Sequence, residues 1–85
     1  MTYRLKVEAK GKGLNVSAKL WENENVDSYE AIYEAMTIAE NRMQTLGATE
    51  DEIKSAMESL QEYRIAEWNK GKNSVVASVW ADEEA

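Results

Sequence analysis

The sequence predicts an α+β fold in the chain order β-β-α-α-β: a three-stranded, mostly antiparallel sheet with an antiparallel helix hairpin packed on one face. Three observations carry this. Residues 3–9 and 14–20 alternate apolar and polar side chains without a break, the period of a half-buried strand. Residues 28–71 carry apolar side chains at helical spacing in two runs, each opened by a capping-box pattern and closed by glycine. Residues 74–81 are rich in valine and hold neither glycine nor proline, which suits a last strand.

In the first hairpin, Gly11-Lys12 supplies the two-residue turn, with glycine at the first central position as a type II′ turn requires. That turn sets Ala9 opposite Leu14, Val7 opposite Val16, Leu5 opposite Ala18 and Tyr3 opposite Leu20, so the apolar positions share one face. A slip of one residue would turn a whole strand over. Residues 22–26 read as a loop.

Asp27 and Glu30 form the capping box of the first helix, whose stripe is Tyr29, Ile32, Tyr33, Met36, Ala39, Met43 and Leu46, with Gly47 at its C-terminus. Thr49 and Glu52 form the second. Ile53, Ala56, Met57, Leu60, Tyr63 and Trp68 continue that helix to Gly71. The short connection forces the two helices antiparallel. Ile38 and Ile65 fall off these stripes and Arg64 falls inside one, where it is expected to snorkel and to stack on Tyr29 or Tyr33. The last strand has either hairpin strand as a possible neighbour, and an even number of reversals would run it antiparallel to the second strand and parallel to the first. Residues 1–81 are read as one domain and 82–85 as a short acidic tail.

The chemistry available to the chain is narrow. It has 85 residues, no His and no Cys, hence no disulfide, no thiolate nucleophile and no base poised near neutral pH. No metal site, cofactor motif or catalytic constellation is read. The sequon at Asn15 lies mid-strand, the Lys10-Gly11-Lys12-Gly13 run lacks phosphate-loop spacing, and residues 22–27 lack the glycine and bidentate glutamate of a calcium loop. No signal-peptide pattern and no membrane-length apolar run is present, so the reading is cytoplasmic, with no membrane partner.

The net charge of −6 counts against a nucleic-acid partner. Yet residues 1–20 hold five cations against one acid, while residues 21–85 hold five cations against fifteen acids. On the hairpin, the face away from the helices takes Arg4, Lys6, Lys19 and Trp21, and if Val75, Ala77 and Val79 point to the core, Val76 and Trp80 join it. That face is the first candidate contact surface, because exposed Trp and Arg are enriched in binding patches. The expected register sets Arg4 opposite Lys19, a like-charge pair that an acidic partner or an anion would relieve. The acidic helix side, with Glu30, Glu34, Glu58 and Glu62, is the alternative.

The expectation is a small non-catalytic protein-binding module, an accessory or inhibitor protein of the phage or mobile-element kind, that occludes a surface of a larger protein. The acidic helices could do so by imitating nucleic acid. The alternatives are single-stranded nucleic-acid binding through the aromatic basic face, or a structural subunit that self-assembles, with a homodimer through the open sheet as the simplest form.

Overall fold

A computed structural model describes the backbone of residues 2–11, 14–23 and 28–82, and the side chains of 3–11 and 28–81. The chain forms β1 (Thr2–Gly11), β2 (Leu14–Asn23), α1 (Ser28–Thr45), α2 (Glu50–Tyr63), β3 (Ile65–Lys70) and β4 (Asn73–Asp82). The α+β class, the antiparallel sheet and the helix hairpin on one of its faces are as the sequence predicts. The sheet has one strand more than expected, in the order β2-β1-β4-β3, and every pairing in it is antiparallel.

The added strand is β3. The sequence pattern ran α2 on to Gly71, but the helix ends at Tyr63, where Arg64 takes a left-handed conformation (φ 63°, ψ 19°) and its N–H bonds the Leu60 carbonyl. Ala66 and Trp68 then alternate inward and are buried, while Ile65, Glu67 and Asn69 stay exposed. Trp68 fits a helical stripe and a strand alternation equally well. Pairing with β4 decides the matter, because it satisfies the backbone of 65–70 while burying the indole. β3 and β4 are joined by Gly71 and Lys72, with positive φ (61°) at the glycine alone, the first central position of a type II′ turn.

This extra reversal also settles the last strand. β4, the segment expected over 74–81, runs antiparallel to β1, not parallel to it, and pairs with it from Thr2–Asp82 to Lys10–Ser74. Asp82, expected in the acidic tail, therefore belongs to the ladder.

The β1–β2 register departs from the expected one. Leu5 pairs with Trp21, Val7 with Lys19 and Ala9 with Ser17; the ladder closes at Gly11–Leu14, with an irregularity between Ala9 and Gly11. Gly11 is held in the strand and is not a turn residue. A Cβ on it would lie 2.6 Å from Leu46 Cδ2 and 2.5 Å from Asn73 Oδ1, so the helix connection and the start of β4 press directly on its backbone.

The core lies between the sheet and the helices. β1 contributes Leu5, Val7 and Ala9, β4 contributes Val75, Ala77 and Val79, and Met43 and Leu60 are the largest side chains sealed completely. α1 lies over β1 and β4, and α2 over β3. The buried stripe of α1 differs from the one expected: Ala31, Ile32, Ala35, Ala39, Met43 and Leu46 face the core, and Ile38 packs partly against it. Tyr29 and Tyr33 stand more than two-thirds exposed. Alanines at 31, 35 and 39 let the helix backbone approach the sheet, where a tyrosine would hold it off.

α1 closes with paired bonds from Gly47 N–H to the Gln44 carbonyl and from Ala48 N–H to the Met43 carbonyl, a Schellman motif. The expected capping box of α2 is present: Thr49 Oγ1 accepts from Glu52 N–H at 3.2 Å, and Glu52 Oε1 accepts from Thr49 N–H at 2.9 Å. Asp27, the expected cap of α1, lies outside the described residues. The β3–β4 turn grips the helix connection, since Asn73 Nδ2 donates to the Leu46 carbonyl at 3.1 Å and Lys70 Nζ to the Gly47 carbonyl at 3.3 Å.

Candidate functional site

The sheet has one covered face and one open face. With Val75, Ala77 and Val79 buried, β4 turns Val76, Ser78 and Trp80 to the open side, as the alternation requires. β1 turns Arg4, Lys6 and Glu8 to it, and β3 turns Ile65, Glu67 and Asn69. Four rows result: Arg4 beside Trp80; Lys6 beside Ser78 and then Ile65; Glu8 beside Val76 and then Glu67; Lys10 beside Ser74 and then Asn69. Strands about 4.8 Å apart bring the members of each row into side-chain contact range. Trp80 is 38% and Ile65 51% exposed, large apolar groups that a free surface does not require. Ile65 reaches this face only because β3 exists, so a residue that the helical pattern left off its stripe becomes part of the patch.

The electrostatics of the face are more balanced than the sequence suggested. Lys6 Nζ lies 2.6 Å from Glu8 Oε1, an ion pair with both side chains nearly half exposed, which contributes little to stability. Glu8 and Glu67 set two carboxylates among Arg4, Lys6 and Lys10. The expected Arg4–Lys19 pairing does not form: Arg4 is opposite Glu22, and Lys19 is opposite Val7. The like-charge motive for an anion at this place is gone. Trp21 and Lys19 lie outside the residues whose side chains are described, so Arg4, Lys6, Val76 and Trp80 are the predicted members that the structure brings together.

The acidic alternative is also laid out. Glu30 and Glu34 stand one turn apart at the start of α1, and Glu58 and Glu62 one turn apart at the end of α2. Gln61 Nε2 reaches Met36 Sδ at 3.7 Å, which sets the end of α2 beside the first half of α1. Both acidic pairs therefore gather at the hairpin end away from residues 46–49. Glu30, Glu58 and Glu62 are exposed, and Glu34 is half-buried. Tyr29, Tyr33 and Tyr63 share that end and are exposed; the apolar pattern had placed all three in the core. The spacing of Ala31, Ala35 and Ala39 was the signal that the core stripe lies elsewhere. Arg64 does not stack on Tyr29 or Tyr33; its guanidinium sits over the Tyr3 ring, 5.6 Å from the centroid.

A third feature joins α2 to β3. Glu52, besides closing the capping box, accepts from the Trp68 indole N–H at 2.8 Å and lies 3.4 Å from Lys70 Nζ. The Thr49 N–H bond, followed by the Trp68 bond, holds the Glu52 carboxyl well below its ordinary value, at about 2. Among the described residues no group of three acidic, His or Cys side chains is arranged to hold a metal ion, and no helix is long and apolar enough to cross a membrane.

Comparison of the chain with family models, with curated proteins and with solved structures finds no match. The fold and its surfaces therefore carry the functional reading.

Proposed function

We propose that this chain is a non-catalytic protein-binding module that works by covering a surface of a larger protein with its open sheet face. The observation that carries this reading is that Trp80 and Ile65, in neighbouring rows and both substantially exposed, stand on a face over which no described residue forms a second layer. Arg4 beside Trp80 supplies the charged partner residue that such patches commonly hold.

The test has two parts. Light scattering over a dilution series, on the wild type and on Trp80→Ala, asks whether the face closes on a second copy. A dimer that Trp80→Ala dissociates assigns the face to self-association and moves the search for a partner to the acidic end of the hairpin. A monomer at every concentration leaves the face for another protein. Affinity capture with wild-type bait and with an Ile65→Glu/Trp80→Ala bait then reads which proteins depend on the patch. If no protein is retained in a Trp80- and Ile65-dependent way, the reading fails.

Single-stranded nucleic acid is the weaker alternative, because the ion pair at Lys6 and the carboxylates of Glu8 and Glu67 offset the cations of the described face. Salt-dependent quenching of tryptophan fluorescence by an oligonucleotide would favour it over protein binding.

A further inference from the structure

β3 forms one edge of the sheet, and no strand among the described residues pairs with its outer side. In an antiparallel ladder alternate residues direct their N–H and C=O groups to opposite sides. The two-residue loop makes Lys70 and Asn73 the closing pair, so Ala66, Trp68 and Lys70 bond β4. The bond from Val79 N–H to the Arg64 carbonyl, 2.8 Å, fits that phase. Ile65, Glu67 and Asn69 therefore turn their backbone groups outward. Ser59 Oγ already donates to the Ile65 carbonyl at 2.7 Å. The N–H and C=O groups of Glu67 and Asn69 meet no strand among the described residues.

Beside this edge runs a groove of about 420 Å3 between α2 and β3, with Ser55, Ser59 and Asp51 on the helix side and Trp68 and Glu67 on the strand side. The open strand edge along it suits a short extended segment. Asp51, Glu52 and Glu67 line it with carboxylates, and the nearby Lys70 ammonium is already engaged by Glu52 and the Gly47 carbonyl. β3 also lacks the proline that often blunts an edge, since the chain has none.

We propose that the outer edge of β3 accepts an extended basic peptide segment of another protein as a fifth strand, with its lysine or arginine side chains directed at Asp51 on the groove side. Backbone bonds from Glu67 and Asn69 supply the pairing, and the carboxylates select the charge. The edge adjoins the open face through Ile65 and Glu67 but does not include Trp80, so substitution of Trp80 tests the patch without altering the edge.

The probe is the capped peptide Lys-Val-Lys-Val-Lys, with Glu-Val-Glu-Val-Glu as its counterpart, titrated into the full chain and followed by amide NMR shifts and exchange. The basic peptide is expected to move the Glu67 and Asn69 amides downfield and slow their exchange, and the acidic peptide to leave them unchanged. Asn69→Pro removes the outward backbone donor, and the exposed Asn69 Nδ2–Glu67 Oε1 bond at 3.1 Å with it, without touching the β4 ladder, so the fold survives and the peptide binds roughly tenfold more weakly. Trp80→Ala leaves this binding as it was. Absence of binding, equal binding of the two peptides, shifts confined to Glu30, Glu34, Glu58 and Glu62, or indifference to Asn69→Pro would each overturn the proposal. So would a concentration-dependent oligomer that Asn69→Pro dissolves, which would give the edge to a second copy.

Discussion

Replacing Gly11 by alanine tests how this sheet is pinned to its helices. The Cβ would stand 2.5 Å from Asn73 Oδ1 and 2.6 Å from Leu46 Cδ2, where ordinary contact is about 3.5 Å. Both neighbours must therefore retreat by about 1 Å. Neither is free to do so, because Leu46 is buried in the core and Asn73 is bonded to the Leu46 carbonyl. Overpacking of this kind costs about 1–3 kcal/mol. The loss or bending of the Asn73 bond adds about 1 kcal/mol. Against these, alanine restricts the unfolded chain and returns about 0.4–1 kcal/mol.

The net expectation for Gly11→Ala is a destabilisation of about 2 kcal/mol, each kcal/mol corresponding to about 4–8 °C of Tm in a domain of this size. Urea denaturation followed by circular dichroism measures it, with the midpoint moving and the slope unchanged. A double-mutant cycle with Asn73→Ala locates the cause. Removing the asparagine makes room for the methyl group, so the double variant should be about 1 kcal/mol more stable than the sum of the single losses predicts. A neutral Gly11→Ala, or strict additivity with Asn73→Ala, would refute the close approach of Leu46 and Asn73 to Gly11.

Two further outcomes follow from the α2 region. Residue 64 is left-handed, so Arg64→Gly should be about 1 kcal/mol more stable than Arg64→Ala, both having lost the contact with Tyr3; equal stabilities would place residue 64 in an ordinary conformation. Because the folded-state pKa of Glu52 is depressed, its contribution is complete above its ordinary value of 4.5 and is lost as pH falls toward about 2. The Tm advantage of the wild type over Glu52→Gln should shrink across that window, and a constant difference would show that the Thr49 and Trp68 bonds do not favour the ionised carboxylate.

Where local pattern and tertiary demand agree, the sequence was enough. The alternation of Leu5, Val7 and Ala9 put the right residues inward, and for the last strand it offered two phases, of which burial of Val75, Ala77 and Val79 selected the one that puts Val76 and Trp80 on the open face. The Thr49–Glu52 capping box and the stop at Gly47 were equally legible, since caps are made by residues within a few positions of each other. Net charge and the absence of His and Cys narrowed the chemistry without reference to any fold.

β3, the register of β2 and the stripe of α1 were decided by contacts distant in sequence. Residues 65–70 carry a pattern that helix and strand both accept, and only the neighbouring β4 resolves it. A second Lys-Gly-Lys at 70–72, matching the one at 10–12, was the local sign of a hairpin there. Gly11 looked like a turn residue because turns favour glycine, whereas Leu46 and Asn73 require it for want of space. Tyr29 and Tyr33 were apolar enough for the core but too large for the helix-to-sheet distance that Ala31, Ala35 and Ala39 permit. Spacing fixes which residues can share a face; the separation between layers decides which face is buried, and that separation exists only once the chain has packed.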